Sequence, residues 1–558
     1  KKAVDGYRRV YKTADPDTLD AIGDLGRLYL SQYKFTAAQE EFEDVLESSR
    51  DLGPNHPSTF LALEWLGDLN ENQGRTEEAF AYYETSVDGH EKFYGDEHPA
   101  TLNLKSKLAK ILEAQAMYVE AEELYEQVLE TRTRVFGSDH KSTVDAFNNM
   151  AFFVQQTEGW VDAEKMYLDA VLKYREEYGG NHTQTMRLIS ALADLFESSE
   201  KYSDAEKLYR ELYETKKQVL GPEQLETLEA IQPLASVLTS LGKFQEAEEL
   251  LQHCLDTTRR VFGERHPAAL TSQVNVVNNL SSQEKYVDAN KIALDALDKY
   301  VDTFGEVHNQ TLRVKNRYAY LLQVQFRFVE CEEILRQVLK DNTELFGLNH
   351  PSTVIARWLL ADAYEDSGKF TEAKEQFDAT LIAARKIYGK ENTNTLQILD
   401  HMSSCLNAAG DIEAAEKLKE EVLAAYIRIF GDSDLATVDQ TVDLAGRHYM
   451  HSGKLDKATL LLEDMLGKCL ERYGERHLAT GRVYWWLGTI YMTNGEIANA
   501  EPYFHKAADI YRHFYGDHHS SSLSVTEDYV QSLENLGRNA EAERYALELV
   551  QNSITVLD

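Results

Sequence analysis

Glycine returns along this chain at a fixed interval. It stands at Gly53, Gly95, Gly137, Gly179, Gly221, Gly263, Gly305, Gly347, Gly389 and Gly431, each forty-two residues after the last, and after one inserted residue the series resumes at Gly474 and Gly516. Around these glycines recurs the phrase Gly-x-x-His-Pro-x-Thr, followed after about fourteen residues by another glycine and, five positions later, by an alanine. A period of this size marks small supersecondary units that cannot bury their apolar faces alone, so stability has to come from stacking each unit on its neighbours. A length of 558 residues would ordinarily suggest several domains of about 150 residues. The repeat replaces that expectation with one extended array over residues 1–558.

The punctuation within a repeat predicts its secondary structure. Pro57 suits a first helical turn, where a missing N–H costs nothing, and Phe60, Leu63, Leu66 and Leu69 return every three residues up to Gly74. A second, longer helix is expected from Glu77 to Tyr94, with Ala79, Tyr82, Tyr83 and Val87 on one face and Gly95 ending it. Each repeat is thus a hairpin of a helix A and a helix B, and no stretch alternates with the period of two that a strand requires. The fold class expected is all-α, an α-solenoid of about twelve to thirteen helix-turn-helix repeats. The alanine near the start of helix B recurs as Ala38, Ala79, Ala121, Ala163, Ala205, Ala247, Ala289, Ala373, Ala415, Ala458, Ala500 and Ala542, with Cys331 the exception. A side chain of methyl size belongs where two helices cross closely. Aromatics three residues before it, such as Phe35, Tyr118 and Tyr202, and four after it, such as Phe42, Tyr83 and Tyr209, are read as core stripes.

Composition narrows the function classes. The formal charge of −36, from 58 basic and 94 acidic residues, repels phosphate backbones and anionic lipid, so nucleic acid is not an expected partner. No run of eighteen apolar residues appears, and Lys1 to Tyr11 lack the apolar core of a signal peptide, so no membrane insertion is expected and the location expected is cytoplasmic. Cys254, Cys331, Cys405 and Cys469 lie more than sixty residues apart with no Cys-x-x-Cys pair. They are expected to be reduced, core-filling thiols.

The pairs Leu66-Gly67, Leu108-Ala109 and Leu192-Ala193 on helix A, the turns Gly242-Lys243-Phe244 and Gly368-Lys369-Phe370, and the Glu-Ala step on helix B resemble tetratricopeptide repeats. The forty-two-residue period and the aromatic or Leu-Gly-x-x-His-Pro linker resemble the kinesin light chain type rather than the commoner thirty-four-residue type. The resemblance covers about Thr18 to about Val550. It implies a right-handed superhelix whose A helices line a concave groove, and a scaffold or adaptor that binds a protein or peptide segment there. Repeats of this type also occur as ligand-sensing arms of larger NLR-like signalling proteins, which is the alternative, and an enzyme with an active site built in the groove is the third. Arg8-Arg9-Val10-Tyr11-Lys12 lines up with Arg259-Arg260-Val261-Phe262-Gly263, so the chain is expected to begin within helix B of a preceding repeat. The Gly-Lys pairs are not followed by Ser or Thr, so no phosphate-binding loop of the Gly-x-x-x-x-Gly-Lys-Ser/Thr kind is present.

Nine histidines share the linker position: His56, His98, His140, His182, His266, His308, His350, His477 and His519. Successive repeats lie about 10 Å apart, too far for two such rings to share a zinc ion at about 2.0–2.1 Å, so the ladder is read as turn chemistry that satisfies free backbone groups at the starts of A helices. The group His513, His518 and His519 lacks a carboxylate at the spacing of a metal site. No Gly-x-Ser-x-Gly or His-Glu-x-x-His motif occurs. No catalytic residue, metal site or cofactor is expected, and the chain reads as non-enzymatic.

Specificity on a constant frame belongs where the repeats differ. The resemblance places the residues eight, eleven, twelve and fifteen positions after each linker glycine on the concave face. The ends are acidic there, with Asp24, Glu64 and Asp68 toward one terminus and Asp400, Asp439, Asp443, Glu527 and Asp528 toward the other. The middle carries Asn148, Asn149, Arg187, Asn275, Asn278, Arg313, Asn316, Arg317 and Tyr320, against Asp145, Asp194 and Glu229. These nine are the candidate peptide-binding residues, and arginine forks beside asparagine amides point to a partner segment that is acidic. Asn275, Arg313 and Arg317 also match the last three positions of the carboxylate clamp of co-chaperone repeats, whereas Gln232 and Ser236 depart from its first two. Trp65, Trp358, Trp485 and Trp486 fall on the same face, as late core or as anchors.

Overall fold

In the computed structural model, described for residues 15–557 apart from 32–33, 54, 116, 158–159, 200 and 518–519, helices alternate with short turns and no strand occurs among the described residues. Thirteen helical hairpins are present among those residues, the first pairing Pro16–Ser31 with Phe35–Ser48 and the last Ser520–Asn535 with Asn539–Leu557. They are numbered here as repeats 1 to 13. The Arg8 to Lys12 segment lies outside the described residues, as do His518 and His519. The chain forms two compact units, one of Lys1–Phe153 with Glu306–Met402 and the other of Val154–Gly305 with Ser403–Asp558.

The linker phrase folds for reasons visible in its atoms. Each linker glycine adopts a positive φ, such as +89° at Gly95 and +86° at Gly347, a region that costs other residues more. Six residues on, the threonine hydroxyl donates back to that glycine's carbonyl, at 2.9 Å for Thr59 to Gly53, 2.9 Å for Thr101 to Gly95 and 2.8 Å for Thr353 to Gly347. Between them the histidine Nδ1 accepts from the backbone N–H two residues ahead, at 3.3 Å for His56, 3.1 Å for His350 and 3.1 Å for His477. The same cap is made by His98, His140, His182, His266 and His308. The preceding aromatic stacks on the ring, as Tyr94 does on His98 at 4.5 Å and Phe346 on His350 at 4.3 Å. The ladder is therefore a row of helix N-caps. Asn392 and Asp434 make the same bond in repeats 10 and 11.

Within each unit the A helices pack chiefly against their own B helix and the preceding B helix, and several also touch the next A helix, as Pro16–Ser31 does Pro57–Asn72. The small residue at the crossing is fully buried in every repeat from Ala38 to Ala500. The aromatic four residues later is core, with Phe42, Tyr83, Tyr209 and Phe377 at 0 % exposure. The aromatic three residues earlier is only half-buried in most repeats, because it sits at the start of helix B beside the turn that closes its hairpin. Phe35 is buried, and Phe346 of the same unit packs against it at 6.2 Å. In that unit Thr76 Oγ1 also donates to the Ile387 carbonyl at 2.9 Å, and in the other unit Ser203 Oγ donates to that of Phe514 at 3.4 Å. The four cysteines are buried free thiols. Burial pushes Cys331 and Cys469 up to about 12.

Ion pairs tie neighbouring repeats. The lysine of the turn before helix B reaches the glutamate beside the crossing residue one repeat earlier: Lys243 to Glu206 at 2.7 Å, Lys285 to Glu248 at 3.0 Å and Lys369 to Glu332 at 2.6 Å, with Lys201 to Glu164 and Lys454 to Glu416 equivalent. The pairing satisfies a cation at a helix N-terminus, where the dipole alone disfavours it. The one-residue insertion between Gly431 and Gly474 is absorbed inside a helix. Leu444–Tyr449 is wound as a π-helix directly after Leu435–Asp443, so the period is restored without a longer loop.

Candidate functional site

Helix A is the natural binding element because its exposed stripe carries what varies. None of the nine candidate residues is buried: Asn278, Arg313, Arg317 and Tyr320 are exposed and the other five half-buried. The division into units separates them. Asn148, Asn149, Arg313, Asn316, Arg317 and Tyr320 belong to the first unit, and Arg187, Asn275 and Asn278 to the second.

On the helix Asn309–Gln323, Arg313 and Arg317 are one turn apart on the face that also shows Tyr320 and Asn316, while Leu312, Val314, Tyr318 and Ala319 turn inward. Neither arginine has an ion-pair or hydrogen-bond partner among the described residues, in contrast to the laddered lysines. Buried oxygens without partners point the same way: Oδ1 of Asn148 and Oδ1 of Asn316 accept nothing among the described residues. In the second unit, Asn275 and Asn278 line a recess of about 220 Å³ together with Gln232, Ser236 and Thr239. Ser236 is held by Glu197, its hydroxyl donating at 2.7 Å.

The acidic ends are less free than their sequence suggests. Lys107 Nζ donates to Glu64 at 2.9 Å and to Asp68 at 2.6 Å, and Asp68 also accepts from the buried Tyr83 hydroxyl at 2.7 Å. Asp194 accepts from Tyr209 at 2.6 Å, and burial with these carboxylates raises both phenols above their ordinary value. Asp439 pairs with Arg482, and Asp443 with Lys419, whose ammonium is fully buried. The tryptophans are mostly packing. Trp65 and Trp486 each lie against a glycine of the preceding A helix, Gly23 and Gly446, where a Cβ would have no room, and Trp485 donates its indole N–H to Asp528 at 2.7 Å.

One charged cluster escaped the residue-by-residue reading. His401 Nδ1 lies 3.3 Å from Asp362 Oδ1, and its ring meets Trp358 edge-on at 4.8 Å. Burial first, then Asp362 and Asp366, lift Glu365 to about 7, and burial raises Asp362 as well. His401 is raised because its contact with Asp362 outweighs the opposing effect of burial. Each residue occupies an ordinary helical position, and only the juxtaposition of two A helices unites them. Among the described residues no group of three or more His, Cys, Asp or Glu side chains is arranged to hold a metal ion, and no helix is long and apolar enough to cross a membrane.

A tetratricopeptide repeat model matches residues 58–134, 142–218, 226–300, 310–381 and 358–428, and two further tetratricopeptide models match 18–58 and 481–514. Among solved structures the chain is similar to the nearly identical TPR-like repeats of a kinesin light chain candidate from Podosopora anserina, at 23% identity and TM-score 0.33, over 37% of this chain and 97% of that one. It is similar to BtubC (BKLC) from P. vanneervenii at 18% identity and TM-score 0.33, over 41% and 92% of the two chains. It is also similar to a Rap protein complexed with competence and sporulation factor, at 14% identity and TM-score 0.38, over 71% and 99%. No curated protein matches the chain. With family matches over most of its length, the chain belongs to the tetratricopeptide repeat family.

Proposed function

We propose that this chain is a non-enzymatic scaffold of the cytoplasm, working as one array over 1–558, which holds an acidic protein segment against the exposed faces of its A helices. Tetratricopeptide repeat proteins bind proteins or peptides, and the crossing, cap and ladder residues here are occupied in holding the repeats together. The observation that carries the acidic specificity is Arg313 with Arg317: two exposed guanidinium groups one turn apart, unpaired, in a chain of net charge −36. A solvated arginine in such a chain has many carboxylates to choose from, and these two take none among the described residues. A carboxylate laid across Asn309–Gln323 would meet both forks, with Asn316 and Tyr320 beside them for backbone groups.

Each charge-assisted hydrogen bond is worth about 1.5–3 kcal/mol. Reversing both charges, Arg313→Glu with Arg317→Glu, should therefore weaken capture of the protein partner at least about tenfold while the helical circular dichroism stays unchanged. Salt should weaken wild-type binding more than that of the double variant. Equal affinity of the two proteins for the same partner would refute the assignment.

A further inference from the structure

Repeat 6 breaks the pattern in several places at once, and two recesses open along the same A helix. Its A helix is interrupted, running as Leu225–Glu229 and Ile231–Ser240 with a turn at Ala230. The cause is Pro233, which brings no N–H to the carbonyl of Glu229 four residues earlier and crowds it with its ring. The linker is altered too. Gln224 replaces the capping histidine and makes no side-chain cap, and Thr227 Oγ1, fully buried, lacks the bond to the linker glycine that its equivalents make. Beside the broken helix lies a second recess, of about 240 Å³, walled by Leu225, Leu228, Leu251, Cys254 and Pro267, with exposed Glu229 and Thr271 also on its lining. It shares Gln232, Leu251 and Asn275 with the polar recess of about 220 Å³ already described.

The polar recess holds an uncompensated amide. Asn279 is 3 % exposed and lines the recess, and only one of its two side-chain polar atoms has a partner. That partner is Thr239 Oγ1 at 2.9 Å, whose single hydroxyl proton also faces the Ala235 carbonyl at 2.8 Å. The position is ordinarily apolar: its equivalents sixteen residues after the linker glycine include Leu69, Ile111, Phe153, Leu195, Val237, Leu321 and Ile490, all buried. A buried amide with an unpaired polar atom is costly at such a place, and it is retained beside a recess from which a polar group could reach it.

We propose that the two recesses form one site in the second unit, binding an extended peptide segment that inserts an aliphatic side chain into the apolar recess and presents a backbone amide group to Asn279. The two recesses are of similar size, about 220 and 240 Å³, and differ in lining, one polar and one apolar, as a segment that alternates backbone and side-chain contacts requires. Chemistry sets the rest. Leucines and a proline take an aliphatic group, the neutral amides of Gln232, Asn275 and Asn278 suit a peptide backbone, and Glu229 at the mouth disfavours a carboxylate beside the anchor. This site rests on the reading that the chain binds protein segments, but it does not use Arg313 or Arg317.

The test is to pan the intact chain against displayed random twelve-residue peptides and measure the affinity of enriched peptides for wild type and variants. Asn279→Leu restores the residue type of the other repeats and removes the amide, and Thr271→Trp blocks the apolar recess from an exposed position. The proposal expects enriched peptides that share one aliphatic position, lose at least tenfold in affinity for each variant, and bind the Arg313→Glu, Arg317→Glu protein as they bind wild type. The thermal midpoint of Asn279→Leu should equal or exceed that of wild type, which a merely structural asparagine would not give. Enriched peptides that bind both variants as tightly as wild type would overturn the site. If those peptides instead lost affinity on arginine reversal, segment binding would stand and only this site would fall. Failure to enrich any peptide would overturn it as well.

Discussion

His350 and His477 are helix caps that work only while neutral, because Nδ1 must accept a backbone hydrogen bond. Burial holds both imidazoles down to about 4, against about 6.5 in an unfolded chain. Between those values the folded protein binds fewer protons than the unfolded one, so their contribution is complete above about pH 6.5 and is lost as the pH falls toward 4. The shift corresponds to no more than about 3 kcal/mol each. His350→Asn with His477→Asn keeps a cap, as Asn392 does naturally, and removes the titration. The drop in thermal midpoint from pH 7.5 to pH 5 should be smaller for this variant than for wild type, and identical drops would contradict the role given to the rings. Gly67 tests the crossing in the same way. It faces the buried Tyr83 ring, which leaves a Cβ at this position no room. Gly67→Ala should cost about 1–3 kcal/mol in chemical unfolding, and Gly67→Val should cost more. The linker histidines, the crossing alanine and the second aromatic stripe were legible as single letters because repetition displayed them. The tyrosine-to-carboxylate bonds recur as well, fifteen residues apart for Tyr83 with Asp68 and Tyr209 with Asp194 and twelve apart for Tyr125 with Glu113, but a stripe read as apolar core hid the need of each hydroxyl for an acceptor. The pairing of His401 with Asp362 joins two A helices and was not legible in either alone.

At the scale of the helix and its turns, the period supplied every hairpin and the departures from it supplied the interest. The turn from helix A to helix B normally has a glycine at positive φ, as at Gly74, Gly242 and Gly368. Glu284 and Phe326 take that conformation at +57° and +60° without being glycine. Phe326 is 79 % exposed, so it gains little burial for the strain. Phe326→Gly should stabilise the protein by about 1 kcal/mol in urea unfolding, with a small offset from the added freedom of the unfolded chain. A loss of stability would show that the edge-on contact of Phe326 with Phe328, at 6.0 Å, holds the turn. The insertion before Gly474 was visible in the sequence as a count of forty-three, but its place was not. A loop would have been the simple expectation. A π-helix at Leu444–Tyr449 took it up, and the core positions before and after it, Val442, Ala458 and Leu462, stay buried. Pro233 was equally visible, whereas the recesses beside its helix depend on neighbours from two other helices.

For the molecule as a whole, the period predicts contacts between adjacent repeats and says nothing of contacts at longer range. Phe35 with Phe346, and Thr76 with Ile387, join residues 311 apart, which is not a whole number of repeats, so no alignment of the repeats could have shown them. Net charge was legible at once, but its distribution was not, because lysines such as Lys107 and buried Lys419 quench acids that looked free in the sequence. What remains on the A helices is a face with Arg313 and Arg317, unpaired among the described residues, asparagine amides and exposed Tyr320. The central claim is that this face, rather than the outer B helices, receives the partner. Hydroxyl-radical footprinting of the chain with and without its captured protein partner tests it most directly, because both faces carry reactive exposed side chains. The account predicts protection at Tyr320 and Ile355 on A helices, at 57 % and 49 % exposure, with Leu172, Ile382 and Leu460 on B helices unchanged. Protection confined to Leu172, Ile382 and Leu460, with Tyr320 and Ile355 still fully reactive, would contradict it.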